Sequence, residues 1–175
     1  MAQARKGVVT MKGKPLTLQG PALKVGDVAP DFTVVDRQWN RVSLSDLKGK
    51  VVLISSVVSV DTSVCAVQTK RFNEEAAKLP GDVVILTMSD DLPFALGRYC
   101  GAEGVDRIQV LSDHLSDSFG KAYGVLINEM RLLTRAIFVV DTEGRIAYVQ
   151  IVPEVTDHPD YGAALGAVRQ LLTES

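Results

Sequence analysis

The chain has 175 residues, of which 46% are hydrophobic and 23% are charged, and its formal net charge is −2. These values are typical of a globular protein, and a slightly acidic chain without Lys/Arg clusters is not expected to bind nucleic acid. The N-terminus lacks the apolar core of a signal peptide, and no apolar run approaches the roughly 20 residues that a membrane-spanning helix needs. We therefore predict one domain over residues 1–175, located in the cytoplasm.

The first 50 residues predict short extended elements. Residues 8–11 and 16–19 flank a Lys-Gly-Lys-Pro turn, which is the pattern of an N-terminal β-hairpin. A further strand is predicted at 31–36 and a short helical turn at 43–47. The chain then enters its most apolar run.

That run, residues 51–60, is rich in β-branched residues and is typical of a strand buried on both faces. Asp61 and Thr62 are good N-cap residues, and a helix is predicted from 63 to 78. Cys65 therefore falls in the first turn of a helix that follows a central strand. The helix positions predicted to share one apolar face are Val64, Val67, Phe72 and Ala76.

The second half of the chain alternates strands and helices. A buried strand at 83–88 should lie parallel to the first, and a helix at 94–99 carries Cys100 near its end, with Gly101 as its stop. The remaining predicted elements are a strand at 108–111, a helix at 116–123, a hairpin of strands at 135–141 and 145–152, and a closing helix at 161–172. This order predicts the α/β class and a thioredoxin-like fold, in which helices flank a central mixed sheet and an N-terminal β-hairpin is added.

Cys65 is a candidate nucleophile because of its position in the chain. Unpaired N–H groups and the positive end of the helix dipole gather at the first helical turn, and both favour a thiolate over a thiol. Alternatively, Cys65 is a small apolar residue between helix and sheet, since free cysteines are often buried. Two cysteines are too few for a disulfide scaffold, and neither His114 nor His158 has metal-ligand spacing, so we expect no metal and no cofactor.

Residues 58–65, Val-Ser-Val-Asp-Thr-Ser-Val-Cys, resemble the active-site motif of the thiol peroxidases, a branch of the peroxiredoxins. The family motif is Pro-Ser-(Leu/Ile)-Asp-Thr-x-Val-Cys, so Val58 stands in the place of the proline. The resemblance covers nearly the whole chain. It includes further segments within 12–18, 91–104, 122–125, 135–141 and 154–161.

The resemblance implies roles for four residues. Cys65 would be the peroxidatic cysteine, and Cys100 would be the resolving cysteine that forms an intrachain disulfide with it. Thr62 would hydrogen-bond the thiolate and the incoming peroxide, and Arg135 would lie beside Cys65 and favour its ionised form. The alternative for Arg135 is a surface arginine at the start of a strand. The resemblance also implies hydrogen peroxide and organic hydroperoxides as substrates, thioredoxin as reductant, and a homodimer.

The implied disulfide requires a change of conformation. Its cysteines are 35 positions apart on different predicted helices, whereas a disulfide needs Cα atoms within about 7 Å. We expect one or both helices to unwind locally in each cycle, and the Cys100 helix to move more because Gly97 and Gly101 flank the cysteine. Val58 should shield Cys65 less well than the family proline, because valine restores an N–H group and leaves φ free.

Two other functions are compatible with the sequence. One is a redox sensor or thiol–disulfide exchange protein on the same fold, with little peroxide turnover. The other is a binding module in which both cysteines are structural. The chain has no C-x-x-C pair, which argues against thioredoxin-type exchange.

Overall fold

The computed structural model describes residues 3–173. In chain order the strands are β1 (Ala4–Met11), β2 (Lys14–Gln19), β3 (Thr33–Val35), β4 (Arg41–Ser43), β5 (Val51–Ser56), β6 (Val83–Ser89), β7 (Gln109–Ser112), β8 (Leu126–Ile127), β9 (Leu132–Leu133), β10 (Ala136–Val140) and β11 (Ile146–Ile151). The α-helices are α1 (Ser63–Ala76), α2 (Pro93–Glu103), α3 (Ser118–Ala122) and α4 (Tyr161–Thr173), and a 3-10 turn covers Leu44–Leu47.

The larger sheet has the strand order β11-β10-β5-β6-β7-β3-β4. Strands β5, β6 and β7 are parallel, as expected for strands joined by helices, whereas β10 pairs antiparallel with β5. Helices α1, α2 and α4 pack on one face of this sheet and α3 on the other. Every residue of the central strand β5 is therefore buried. The architecture confirms the predicted α/β class and thioredoxin-like fold.

The smaller sheet has the strand order β1-β2-β8-β9. Its β1–β2 hairpin confirms the predicted one, but β8 and β9 were not predicted, because two-residue strands are too short to show alternation. Val9, Leu18 and Ile127 of this sheet are fully buried and pack in one apolar cluster with Cys65. The smaller sheet thus covers the segment that carries the candidate nucleophile.

The prediction for the inner face of α1 was wrong at Val67. Val67 is 53% exposed, whereas Cys65, Gln68 and Thr69 have no exposed area. Phe72 is buried as predicted. The inner face of the first two turns is therefore mostly polar or sulfur-containing, which a search for apolar periodicity cannot identify.

Two element ends also differ from prediction. Strand β5 ends at Ser56 rather than at residue 60. The Val57 N–H still donates to the Met88 carbonyl of β6 at 2.9 Å, but the Val60 N–H donates to the Asp91 carboxylate at 2.9 Å. Helix α2 continues through Gly101 and ends at Gly104, which has the left-handed φ of 66° that favours glycine at a helix C-terminus. Over residues 3–173, none of the helices combines the length and apolar character needed to cross a bilayer.

Candidate active site

The chain leaves β5 through a loop, residues 57–62, and enters α1, whose N-cap is Thr62. Cys65 is the third residue of this helix, and its side chain has no exposed area. The sulfur therefore lies at the helix start, where backbone N–H groups without intrahelical partners stabilise negative charge. A buried strand followed by capping residues produces this placement directly from the sequence.

Arg135 lies beside Cys65, immediately before β10, and is only 2% exposed. Its Nη1 is 3.1 Å from Cys65 Sγ, and its Nε and Nη2 donate to the Val155 carbonyl at 3.0 and 2.7 Å. A buried guanidinium needs such partners, because an unpaired buried charge is costly. The surface alternative for Arg135 is excluded. Its position places a fixed positive charge and a hydrogen-bond donor against the sulfur.

Gln68 holds the same guanidinium from the helix side. Its Oε1 accepts from Arg135 Nη1 at 2.8 Å, and its Nε2 donates to Ser55 Oγ at 2.7 Å. Both polar ends of this fully buried amide are therefore paired. The sequence prediction missed Gln68. The available signal was its position three residues after Cys65, which places both side chains on one side of the helix.

The loop before α1 is fastened by Asp91, which lies just after β6. Its Oδ1 accepts from Ser59 Oγ at 2.6 Å, and its Oδ2 accepts from the Val60 N–H and from Ser89 Oγ, each at 2.9 Å. The sequence analysis did not identify this anchor. The three bonds fix the loop at the carboxyl ends of β5 and β6, and so fix the start of the Cys65 helix.

Thr62 lies at the N-cap with its side chain exposed to solvent. Its hydroxyl donates to the Ser59 carbonyl at 2.9 Å. Among residues 3–173, no hydrogen bond joins this hydroxyl to the Cys65 sulfur. The role predicted for Thr62 stays a prediction.

Cys100 lies in the second half of α2 and is 3% exposed. Both cysteines are free thiols, and they belong to different apolar clusters. Burial raises the pKa of the Cys100 thiol, and the positive charge of Arg37 opposes this shift. The structure therefore shows the reduced protein, with Cys100 in an apolar environment that favours its neutral form.

A separate acidic cluster lies where β6 ends. Carboxylate oxygens of Asp90, Asp113 and Asp117 lie within 4.8 Å of one another. Both oxygens of Asp90 are buried without a hydrogen-bond partner, and burial together with the charges of Asp113 and Asp117 raises the Asp90 pKa to about 7. Asp113 caps α3 by accepting from the Phe119 and Gly120 N–H groups. The spacing of these three carboxylates suits a cation. A proton on Asp90 is a second way to reduce the repulsion between their negative charges.

Comparison with known proteins gives consistent relationships. Residues 24–165 match the Redoxin family. The thiol peroxidase of Bacillus subtilis is 53% identical over 164 residues, covering 94% of this chain and 98% of the relative. That of Listeria innocua is 54% identical over 162 residues, covering 93% and 98%. The chain belongs to the thiol peroxidase branch of the Redoxin family.

Solved structures agree with this assignment. A peroxiredoxin-like protein from Aquifex aeolicus superposes with a TM-score of 0.89 at 41% identity, over 96% of this chain and 98% of its own. A thiol peroxidase from Chromobacterium violaceum has a TM-score of 0.83 at 23% identity, over 95% and 98%, and supports the fold alone. The predicted family is confirmed, and the chain is an oxidoreductase of the peroxiredoxin type.

In this member of the Redoxin family, Val58 takes the position of the motif proline. Its side chain is 5% exposed and belongs to the same apolar cluster as Cys65 and Val155. Valine therefore supplies apolar cover over this side of the site. What it does not supply is the fixed φ of a proline.

Proposed function

We propose that this chain is a peroxidase that reduces hydrogen peroxide and organic hydroperoxides at Cys65 and is recycled by thioredoxin. Thiol-dependent peroxidase chemistry agrees with the family. The observation that carries the proposal is the 3.1 Å contact between Arg135 Nη1 and Cys65 Sγ at the start of α1. A thiolate held by a helix start and a guanidinium is a nucleophile that functions at neutral pH.

In the first step the Cys65 thiolate attacks one oxygen of the hydroperoxide. The S–O bond forms as the O–O bond breaks, giving the sulfenic acid and, after proton uptake, an alcohol or water. Negative charge develops on the leaving oxygen, and fixed donors such as Arg135 and the helix N–H groups stabilise it. The Thr62 hydroxyl donates to Ser59 O and keeps oxygen lone pairs that can accept the peroxide O–H.

In the second step the Cys100 sulfur attacks the Cys65 sulfenic acid. The Cys65–Cys100 disulfide forms and the sulfenic oxygen leaves as water. Thioredoxin, a dithiol, then reduces this disulfide by exchange and returns both cysteines to thiols. Because both cysteines are buried in helices, we propose that α2 unwinds locally before the disulfide forms.

The assembly we propose is a homodimer in the cytoplasm, with residues 1–175 acting as one domain. An exposed apolar patch supports self-association, because such patches often mark protein interfaces. The patch is centred on Trp39 and Phe94, which are 41 and 72% exposed and whose ring centroids are 5.6 Å apart. Leu92, two residues before Phe94, and Leu115, next to His114, whose ring centroid is 5.6 Å from that of Trp39, are 52 and 59% exposed. Phe94→Glu should reduce the molar mass measured by light scattering, whereas the control Val25→Glu, at an exposed valine outside this patch, should not.

The direct test of the function is peroxide consumption coupled to thioredoxin. Wild type should turn over and Cys65→Ser should not consume peroxide. Cys100→Ser should consume about one to two equivalents, as Cys65 is oxidised to the sulfenic and then the sulfinic acid, and then stop, since thioredoxin has no disulfide to reduce. Turnover by Cys65→Ser would overturn the proposal. A single stoichiometric oxidation of wild type without turnover would instead indicate a redox sensor.

A further inference from the structure

We propose that Tyr99 is a positioning residue whose hydroxyl controls how fast Cys100 reaches oxidised Cys65. Tyr99 is the neighbour of Cys100 in α2, and its hydroxyl donates to the Ala66 carbonyl in α1 at 2.7 Å. Ala66 is in turn the neighbour of Cys65. One hydrogen bond therefore joins the residues adjacent to the two cysteines. The inference rests on the proposed disulfide mechanism.

Among residues 3–173, this bond is the best protected of three polar side-chain contacts between α2 and residues 61–76, the segment that carries Cys65. Tyr99 is 8% exposed and packs in an apolar cluster with Phe72 and Leu96, and burial raises its pKa to about 12, so the hydroxyl stays a donor. The other two contacts are exposed ion pairs. Arg98 and Asp61 are 2.9 Å apart, with side chains 68 and 59% exposed, and Lys70 and Glu103 are 3.8 Å apart, with side chains 54 and 46% exposed. Exposed ion pairs contribute little, so Tyr99 is the stronger restraint.

Disulfide formation has to break this restraint. Cys65 and Cys100 are buried in different apolar clusters, so Cys100 has to move with its helical turn to reach Cys65, and Tyr99 is part of that turn. Gly97 and Gly101, both inside α2, lower the cost of unwinding it. The Tyr99–Ala66 hydrogen bond therefore stabilises the closed helix and slows resolution of the sulfenic acid.

Slower resolution alters the fate of Cys65. Its sulfenic acid either condenses with Cys100, giving the disulfide and water, or reacts with a second hydroperoxide. In the second case the sulfur is oxidised to the sulfinic acid and the hydroperoxide is reduced to an alcohol or water. Tyr99 thus sets the ratio of these products at a given peroxide concentration.

The test is Tyr99→Phe, which removes only the hydroxyl, in stopped-flow oxidation of the reduced protein. Trp39, the single tryptophan of the chain, has its ring centroid 5.6 Å from that of Phe94 in α2 and reports the movement by its fluorescence. Losing one hydrogen bond should speed disulfide formation about two- to tenfold and lower the sulfinic acid yield in excess peroxide in proportion. Mass spectrometry quantifies both products.

Tyr148→Phe is the matched control. Tyr148 packs against the same apolar cluster, and within residues 3–173 its hydroxyl bonds to neither α1 nor α2. It should leave the ratio of disulfide to sulfinic acid unchanged. Tyr99→Leu, which also lacks the hydroxyl, repeats the test if the Phe variant does not fold.

The inference is overturned if Tyr99→Phe forms the disulfide at the wild-type rate, or more slowly, with an unchanged sulfinic acid yield. An equal increase in the rate of disulfide formation in Tyr148→Phe would also overturn it, since the increase would then reflect weaker packing of the apolar cluster in general. If wild type forms no Cys65–Cys100 disulfide at all, the proposed function itself fails, and the role of Tyr99 fails with it.

Discussion

The surroundings of the two cysteines differ in how firmly they are held. Cys65 faces Arg135, which is bonded in turn to Gln68 and to the Val155 carbonyl, all of them buried. Cys100 lies in a helix that contains two glycines, and the polar side-chain contacts described between this helix and residues 61–76 are one tyrosine hydroxyl and two exposed ion pairs. A nucleophile gains from a fixed environment, whereas a residue that must travel needs a helix that opens at low cost.

Replacing Arg135, in the firmly held surroundings of Cys65, should have the largest effect on the rate of oxidation. Arg135→Met removes the positive charge and the guanidinium donor next to Cys65 Sγ, and we expect the rate of sulfenic acid formation to fall roughly 100-fold. The rate should fall less in Arg135→Lys, because lysine keeps the positive charge but cannot bond the Val155 carbonyl through two nitrogen atoms. Single-turnover peroxide kinetics in the Cys100→Ser background measures both. Arg145→Met, at an exposed hairpin arginine, is the control.

Removing the support of the arginine should have a smaller effect. Gln68→Ala leaves Ser55 Oγ without this partner and leaves Arg135 Nη1 with Cys65 Sγ alone, and we expect a loss of about 1–3 kcal/mol in the free energy of unfolding. Chemical denaturation measures it. A slower first oxidation should accompany this loss of stability, because the Arg135 guanidinium is held less firmly against Cys65 Sγ. An unchanged oxidation rate would show that Val155 O alone positions Arg135.

Restoring the motif proline at position 58 should increase the rate of the first oxidation modestly. Val58→Pro fixes φ beside the apolar cluster that covers Cys65, so the first oxidation should be faster than in wild type. The rate of disulfide formation should not change, because Cys100 belongs to another cluster. Rapid-mixing kinetics separates the two steps. A slower first step would mean that the Val58 N–H or its mobility assists the reaction.

Substitution of Asp90, the neighbour of Asp91, should have the smallest effect, and it should be an effect on stability. Asp91 is fully bonded, whereas the Asp90 oxygens are buried without partners, and its pKa is raised to about 7. A raised carboxyl pKa means that the folded state loses stability as pH rises from about 4 to about 7. Asp90→Asn should therefore be more stable than wild type above pH 7, and the difference should shrink as the pH falls through that range.

The magnitude expected for Asp90→Asn is modest, because solvent screening reduces the benefit to about 1 kcal/mol. That corresponds to a rise in Tm of about 2–4 °C at pH 8. Thermal unfolding at pH 8, 6 and 4 measures it. Asp91→Asn should instead destabilise, since it weakens the bonds to Ser59 and Val60. A pH-independent gain in Asp90→Asn would contradict the account.

Local sequence signals predicted much of this fold. The β5–α1–β6 unit, the β1–β2 hairpin and the closing helix α4 follow from periodicity and turn residues. The position of Cys65 at a helix start follows from the same pattern, and Arg135 was assigned through the family motif. The elements and the position of Cys65 depend on residues that are close in the chain, and the role of Arg135 comes from the family resemblance.

The partners of the site residues could not be predicted in this way. Gln68 and Arg135 are 67 positions apart, Asp91 and Ser59 are 32, and the Val155 acceptor is a backbone atom that any residue would supply. The inner face of α1 was misread for a related reason. Its Gln68 and Thr69 are buried because of what they bond, and apolar periodicity does not record hydrogen bonds.

The most direct measurement is the site of the first oxidation in the Cys100→Ser variant. Reduced protein is treated with one equivalent of hydrogen peroxide and with dimedone, which traps sulfenic acids, and its peptides are analysed by mass spectrometry. We expect nearly complete labelling of Cys65, and far less when Arg135→Met is added. An unlabelled Cys65, or equal labelling with and without the arginine, would contradict the claim that Arg135 activates this sulfur.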